Sequence, residues 1–299
     1  MLPGHGATPF SRAIPAALPS RAADNLFWLG RYVERAEGAM RLLRSFHVRL
    51  AETGDDRAPI FAAIAEALEA MGVDAEENVP EGLRAMLQSA IFSAGNVRDR
   101  FSIDGWMALN DLARTAGRMA ETVAPGDDAA RAMSVLLRKI TGFSGLVHEN
   151  MYRFTGWRFL TIGRSLERAL HMMALLRVLA GPEAPDGALD LAVELGDSVM
   201  THRRRYSVAT NRETVVDLLA LDAMNPRSVL YQLSEVKTHV AFLPGAEVNG
   251  VRSPLSRAIL RAHAALAVLT PEELDAEALA DLDQQIGALS ALLSDAYML

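Results

Sequence analysis

WLGRYVERAEGAM, residues 28–40, is answered further along the chain by TIGRSLERALHMM, residues 161–173. Both stretches carry Gly-Arg-x-x-Glu-Arg-Ala: Gly30, Arg31, Glu34, Arg35 and Ala36, then Gly163, Arg164, Glu167, Arg168 and Ala169. Around the first copy Leu26, Leu29, Val33, Ala36, Met40, Leu43 and Leu50 recur at three-and-four spacing. That periodicity predicts a helix from Ser20, as N-cap, to a stop at Thr53-Gly54. The similarity is one helix long, so it predicts a duplicated helix or a pseudo-two-fold pair rather than a repeat array. A mid-helix glycine costs up to about 1 kcal/mol relative to alanine, and close approach of another backbone is its usual compensation. Gly30 and Gly163 therefore predict that the two motif helices pass close together.

Composition points the same way. Half of the 299 residues are hydrophobic, with only 10 Phe, 5 Tyr and 3 Trp among them, a balance that favours helices over strands. No cysteine is present, which excludes disulfides, thiolate metal sites and a cysteine nucleophile and fits a cytoplasmic protein. A net charge of −7 argues against broad nucleic-acid binding, so a phosphate site would have to be a local basic patch. No apolar run reaches the roughly 20 residues of a membrane span. Residues 1–19 contain four prolines and read as a flexible tail, leaving residues 20–299 as one helical domain.

Turn residues divide that domain into about ten helices. Pro59 and Pro80 open the second and third, the fourth runs from Asp104 to Val123, and the fifth from Asp127 to Tyr152. The second motif helix follows and ends near Ala180. Gly181-Pro182 to Gly187 is the clearest break, a candidate border between two halves. Helices are then expected over Ala188–Tyr206, Arg212–Leu221 and Pro226–Leu243, and a last one after Thr270-Pro-Glu-Glu-Leu, where Glu273 can reach back in a capping box. No alternation long enough for a strand is found. The fold expected is an all-α bundle with the two motif helices packed centrally.

Glu34 lies three residues from Arg31 and shares its face, and Glu167 repeats this with Arg164. Exposed, such pairs are worth a few tenths of a kcal/mol. The apolar surroundings, Phe27, Trp28 and Leu29 before one copy and Leu160 and Ile162 before the other, favour a partly buried Arg–Glu cluster joining the two helices. A site for an anionic ligand or partner is the second role open to these residues. Acid/base catalysis by Glu34 or Glu167 is the third.

THRRRYSVATNRE, from Thr201, places Arg203, Arg204, Arg205, Tyr206 and Arg212 near a helix C-terminus, where cations suit the helix dipole. The same guanidiniums could clamp a phosphate or carboxylate. NVRDRFSIDGWMALND, from Asn96, reads as salt-bridged turn residues. The histidines are isolated and His148 lacks the second histidine of a zinc helix, so no metal is expected. Neither a glycine-rich phosphate loop nor a nucleophile elbow occurs, and no cofactor is expected.

SRAADNLFWLGRYVERAEGAMRLL, VRDRFSIDGWMALN, GWRFLTIGRSLERA and RRRYSVATNRETVVDLLALDAMNPRSVLYQL together resemble, in order, the blocks of the alpha-E family, bacterial all-helical proteins named for an ER motif. The second copy departs from the first at Leu170, where the first has Glu37. The resemblance implies association with a circularly permuted ATP-grasp protein, often near a transglutaminase-like protease, in systems that form or modify amide bonds. Such a chain would be a non-catalytic partner or scaffold subunit of the ligase. The alternative is an enzyme of the same pathway that transfers a proton with an Arg-flanked glutamate. In the partner role Arg31, Arg35, Arg164, Arg168 and Arg203–Arg205 would meet a carboxylate, a phosphate or an acidic peptide. A homo-oligomer is compatible with either role.

Overall fold

The structure, a computed structural model, describes residues 18–298. Of the tail expected over residues 1–19, residues 1–17 lie outside the described residues. The chain is all-α. In order, the helices are α1 (Ser20–Thr53), α2 (Pro59–Glu69), α3 (Glu81–Gly95), α4 (Ile103–Thr122), α5 (Asp127–Asn150) and α6 (Thr155–Leu179). After a turn come α7 (Ala188–Leu195), α8 (Val199–Arg205), α9 (Arg212–Val216), α10 (Val229–Val240), α11 (Pro254–Ala267) and α12 (Ala276–Tyr297).

Local chemistry accounts for most helix ends. Gly54 takes the left-handed conformation (φ 76°) and returns its N–H to Leu50 O, closing α1. Ser102, Ser228, Ser253 and Asp275 each accept a backbone N–H at the start of α4, α10, α11 and α12. Asn211 and Thr214 form a reciprocal capping box on α9. Ser20, expected as a cap, is instead the first helical residue after Pro19, and makes no cap bond. Glu273 does reach back to the Thr270 N–H at 2.9 Å, but it closes a turn, and α12 starts later under Asp275.

The elements differ from those expected at residues 188–206, 212–221 and 247–267, and the helix expected over Arg212–Leu221 passes into a wider π turn at Asp217–Leu221. The helix expected over Ala188–Tyr206 is two helices, because Asp197 turns left-handed (φ 51°) and Ser198 N–H bonds back to Val193 O. Gly196 at that break admits the side chain of Leu219, whose Cδ2 would stand 2.5 Å from a Cβ on residue 196. Helix α11, over residues 254–267, had no counterpart in the periodicity reading. Ahead of it lies a hairpin pairing Glu247–Val248 with Val251–Arg252, turned by Asn249 and Gly250, both at positive φ.

Helices α1 and α6 form the centre. Around α1 pack α2, α3, α5 and α7, while α10 and α12 cover α6. The buried apolar residues form one cluster that spans the break at residues 181–187, joining Leu29 and Phe159 to Leu191, Val215 and Leu233. Contacts between α1 and α6 ascend in step: Leu26 meets Gly156, Phe27 meets Gly163, Glu34 meets Arg168 and Gly38 meets His171. The two helices therefore run in the same direction, each motif residue facing the region of its counterpart.

At the contact the glycines do what their mid-helix placement implies. A Cβ on Gly30 would lie 2.2 Å from Leu160 O, and one on Gly163 would lie 2.1 Å from Phe27 O. Leu160 and Phe27 are themselves counterparts in the two copies, so the approach is reciprocal. The obstructing atoms are backbone and cannot rotate away, so only glycine permits this spacing.

The candidate anion-binding cluster at the helix pair

Close approach brings the arginines of each motif onto the glutamate of the other. Arg31 Nε and Arg35 Nε donate to Glu167 at 2.5 and 2.6 Å. Reciprocally, Arg168 donates to both Glu34 oxygens at 2.5 and 2.7 Å, and Arg164 Nε stands 3.6 Å from Glu34. No Arg31–Glu34 or Arg164–Glu167 ion pair forms among the described residues; both carboxylates pair across the helix interface rather than along their own helix. Glu34 and Glu167 are 5% and 7% exposed, so the cluster is buried. A carboxylate so placed needs charged donors to offset its lost hydration, and each has them.

The copies diverge one turn on. Glu37, 3% exposed, binds Arg227 Nη2 at 2.6 Å and Arg41 Nη2 at 3.0 Å, with Arg168 at 3.7 Å. Burial alone would raise the Glu37 carboxyl, but the guanidiniums of Arg227, Arg168 and Arg41 overcome it and hold it well below the usual carboxylate range. Arg227 arrives on the loop between residues 222 and 228. Buried Asn225 pins that loop by donating to Ser198 Oγ and Leu218 O, while its own side-chain oxygen accepts the Arg227 N–H. In the second copy Leu170 and His171 replace Glu37 and Gly38. His171 lies over Gly38, with Nε2 2.9 Å from where a Cβ would be. Burial pushes the imidazole down, and Arg227 and Arg41 add to this against Glu34 and Glu167, so it is held toward the neutral form.

Glu34 and Glu37 thus face Arg41, Arg164, Arg168 and Arg227, two carboxylates against four guanidiniums. Glu37, Arg41, Arg227 and His171 were not singled out as candidates from sequence. The i,i+4 spacing of Glu37 and Arg41 was the available signal. Nothing local to Asn225-Pro-Arg227 points to α1.

The arginine-rich block does not act as one clamp. Arg212 donates to three carbonyls, Ala180 O, Pro271 O and Leu274 O, and so ties the end of α6 to the turn before α12. Arg205 pairs with Asp222 and, at 3.5 Å, with Asp217, whose carboxylate also accepts the Tyr206 hydroxyl. Burial and that bond to Asp217 push the Tyr206 phenol up. Arg203 and Arg204 are exposed on α8. In the other block Arg98 stacks over Trp106 at 4.9 Å, Arg100 pairs with Asp99, and Ser102 caps α4. Among the described residues no cluster of three or more metal-ligating side chains occurs, and no helix is long and apolar enough to cross a membrane.

Residues 18–298 match Alpha-E, a predicted alpha-helical domain with a conserved ER motif, and the chain belongs to that family. An uncharacterized protein of Mycobacterium bovis and uncharacterized proteins of two Mycobacterium tuberculosis strains are each 28% identical to it over 320 residues. Those alignments take in 92% of this chain but 36% of each relative, so the chain spans about a third of the length of the curated relatives it matches. No solved structure matches the chain.

Proposed function

We propose that this Alpha-E chain is a non-catalytic helical partner of a circularly permuted ATP-grasp ligase, holding an acceptor or acidic partner surface for an amide-bond-forming reaction. The observation that carries the reading is the use to which the motif carboxylates are put. Glu34 and Glu167 are each gripped by the opposite helix, Glu34 by both Nε and Nη2 of Arg168. Their hydrogen-bonding capacity is directed into the helix pair and not toward a substrate. Alignment with only 36% of much longer relatives supports a unit that works beside other protein, and the family resemblance supplies the kind of protein. A cytoplasmic setting is part of the same proposal.

The enzyme alternative, proton transfer by Glu34 or Glu167, has this geometry against it, since a base must reach a substrate proton and both carboxylates are buried and bonded across the helix pair. Co-purification from the native host tests the leading reading. A stoichiometric ATP-grasp protein whose ATP turnover depends on this chain is the expected result. If that protein neither binds the chain nor needs it for turnover, the reading fails. Glu34→Gln separates the alternative: turnover lost with folding and partner binding intact would favour catalysis.

A further inference from the structure

The near two-fold relation between the motif helices supplies a control for every motif side chain, and one of them breaks it. Arg31 donates to Glu167 and also, through Nη1, to Ser290 Oγ of α12 at 2.9 Å. Its counterpart Arg164 makes no hydrogen bond among the described residues; Nε is enclosed without a partner, and Glu34 at 3.6 Å is its one ion-pair contact. Where Arg31 meets α12, Arg164 opens instead into a cleft of about 250 Å³ between α5, α6 and α10. Arg164 and Arg168 line one side of this cleft, Tyr231, Gln232 and Glu235 another, and Trp157 supplies an apolar wall.

We infer that this cleft binds the carboxylate of a free amino acid or of a peptide C-terminus, with Arg164 as the anchoring cation. Glu34 is already satisfied by the two bonds from Arg168, so Arg164 is left as the donor for an incoming anion. The enclosed Nε–H, without a hydrogen-bonding partner on a side chain that is 26% exposed, carries a desolvation cost that a carboxylate reaching in from the cleft would offset. Burial pushes the Arg164 guanidinium down, with Arg168 adding to this, and the attraction of Glu34 and Glu37 does not fully offset it. The cleft is smaller than the roughly 300–1,000 Å³ typical of drug-sized ligands, which suits a small terminal group. Glu235, 38% exposed by its side chain, offers a counter-charge to the ammonium of a free amino acid. The site is independent of the ligase reading, because binding is measured on the isolated chain.

Calorimetric titration of the full chain with N-acetyl-alanyl-alanine, its C-terminal amide, L-alanine and inorganic phosphate tests the assignment. The acid is expected to bind and the amide to bind at least about tenfold more weakly, the loss of a charge-assisted contact. Arg164→Ala should weaken the acid by a similar factor while lowering the melting temperature less than Arg31→Ala does, since it removes an ion pair at 3.6 Å but no hydrogen bond present in the free chain. Arg31→Ala should lower the melting temperature and leave acid binding in place. Tighter L-alanine identifies a free amino acid with Glu235 facing its ammonium, and tighter N-acetyl-alanyl-alanine identifies a peptide terminus; both uphold the site. Equal binding of acid and amide, undiminished binding by Arg164→Ala, phosphate outcompeting both carboxylates, or no binding by any probe would overturn it.

Discussion

The two ends of the helix-pair cluster begin from the same seven-residue motif and differ in what surrounds them. On one side Glu167 is held by Arg31 and Arg35, and Ser290 completes the arrangement. On the other, Glu34 is joined by Glu37, and a third element brings Arg227, so that four guanidiniums converge on two carboxylates. The first end needs only α1, α6 and one serine of α12. The second needs the loop at residues 222–228 as well, and keeps Arg164 without a hydrogen bond. A duplicated helix can therefore tie the fold together through hydrogen bonds at one copy and leave a guanidinium without one at the other.

The largest effect should come from removing the carboxylates. Glu34→Gln leaves Arg164 and Arg168 without their shared anion, and denaturant unfolding should show a loss of about 3–5 kcal/mol. Glu167→Gln should cost less, about 2–3 kcal/mol, because Arg31 keeps its bond to Ser290 Oγ and the Arg35 side chain can take up water. Equal losses would remove the distinction between the ends.

Next come the glycines at the contact. Alanine in mid-helix normally stabilises, yet Gly30→Ala and Gly163→Ala should each destabilise by about 2–3 kcal/mol, since the added methyl meets a carbonyl oxygen. Matching losses at the two positions would sustain the reciprocal approach; a loss at one alone would break it. Gly38→Ala should cost about 1 kcal/mol or less, because there the obstruction is the tip of the His171 ring, which can move. A loss as large as at Gly30 would mean that His171 is locked in place.

The smallest effect is a pH slope. With its folded value below the ordinary 4.5, Glu37 contributes stability that is complete above about that pH and is lost as pH falls toward the folded value. Unfolding free energy measured down through that range should therefore fall less steeply for Glu37→Gln than for the native chain. Identical slopes would show that Glu37 gains nothing from Arg227 and Arg41.

Reading the residues alone recovered α1 to α6 closely, because three-and-four spacing and Pro or Gly at the ends are local signals that burial reinforces. It merged α7 with α8, where a single left-handed residue, Asp197, breaks an otherwise helical run. It also gave no helix to residues 254–267. Among the candidate site residues, the six arginines and glutamates of the doubled motif do meet. Arg212 instead serves three carbonyls, a role its neighbours in sequence do not reveal because its acceptors lie 32 to 62 residues away.

The sequence by itself determined that the chain is helical, that two of its helices are related, and that glycine would let them come close, because periodicity and missing side chains are properties of each segment. Only the tertiary structure decided the pairing of the charges. On an isolated helix Arg31 lies nearest Glu34, but the parallel approach sets it against Glu167 at 2.5 Å, where burial makes the cross-helix bond the stronger. Likewise, the convergence of Arg227 on Glu37 and the opening beside Arg164 depend on how distant segments pack around the pair.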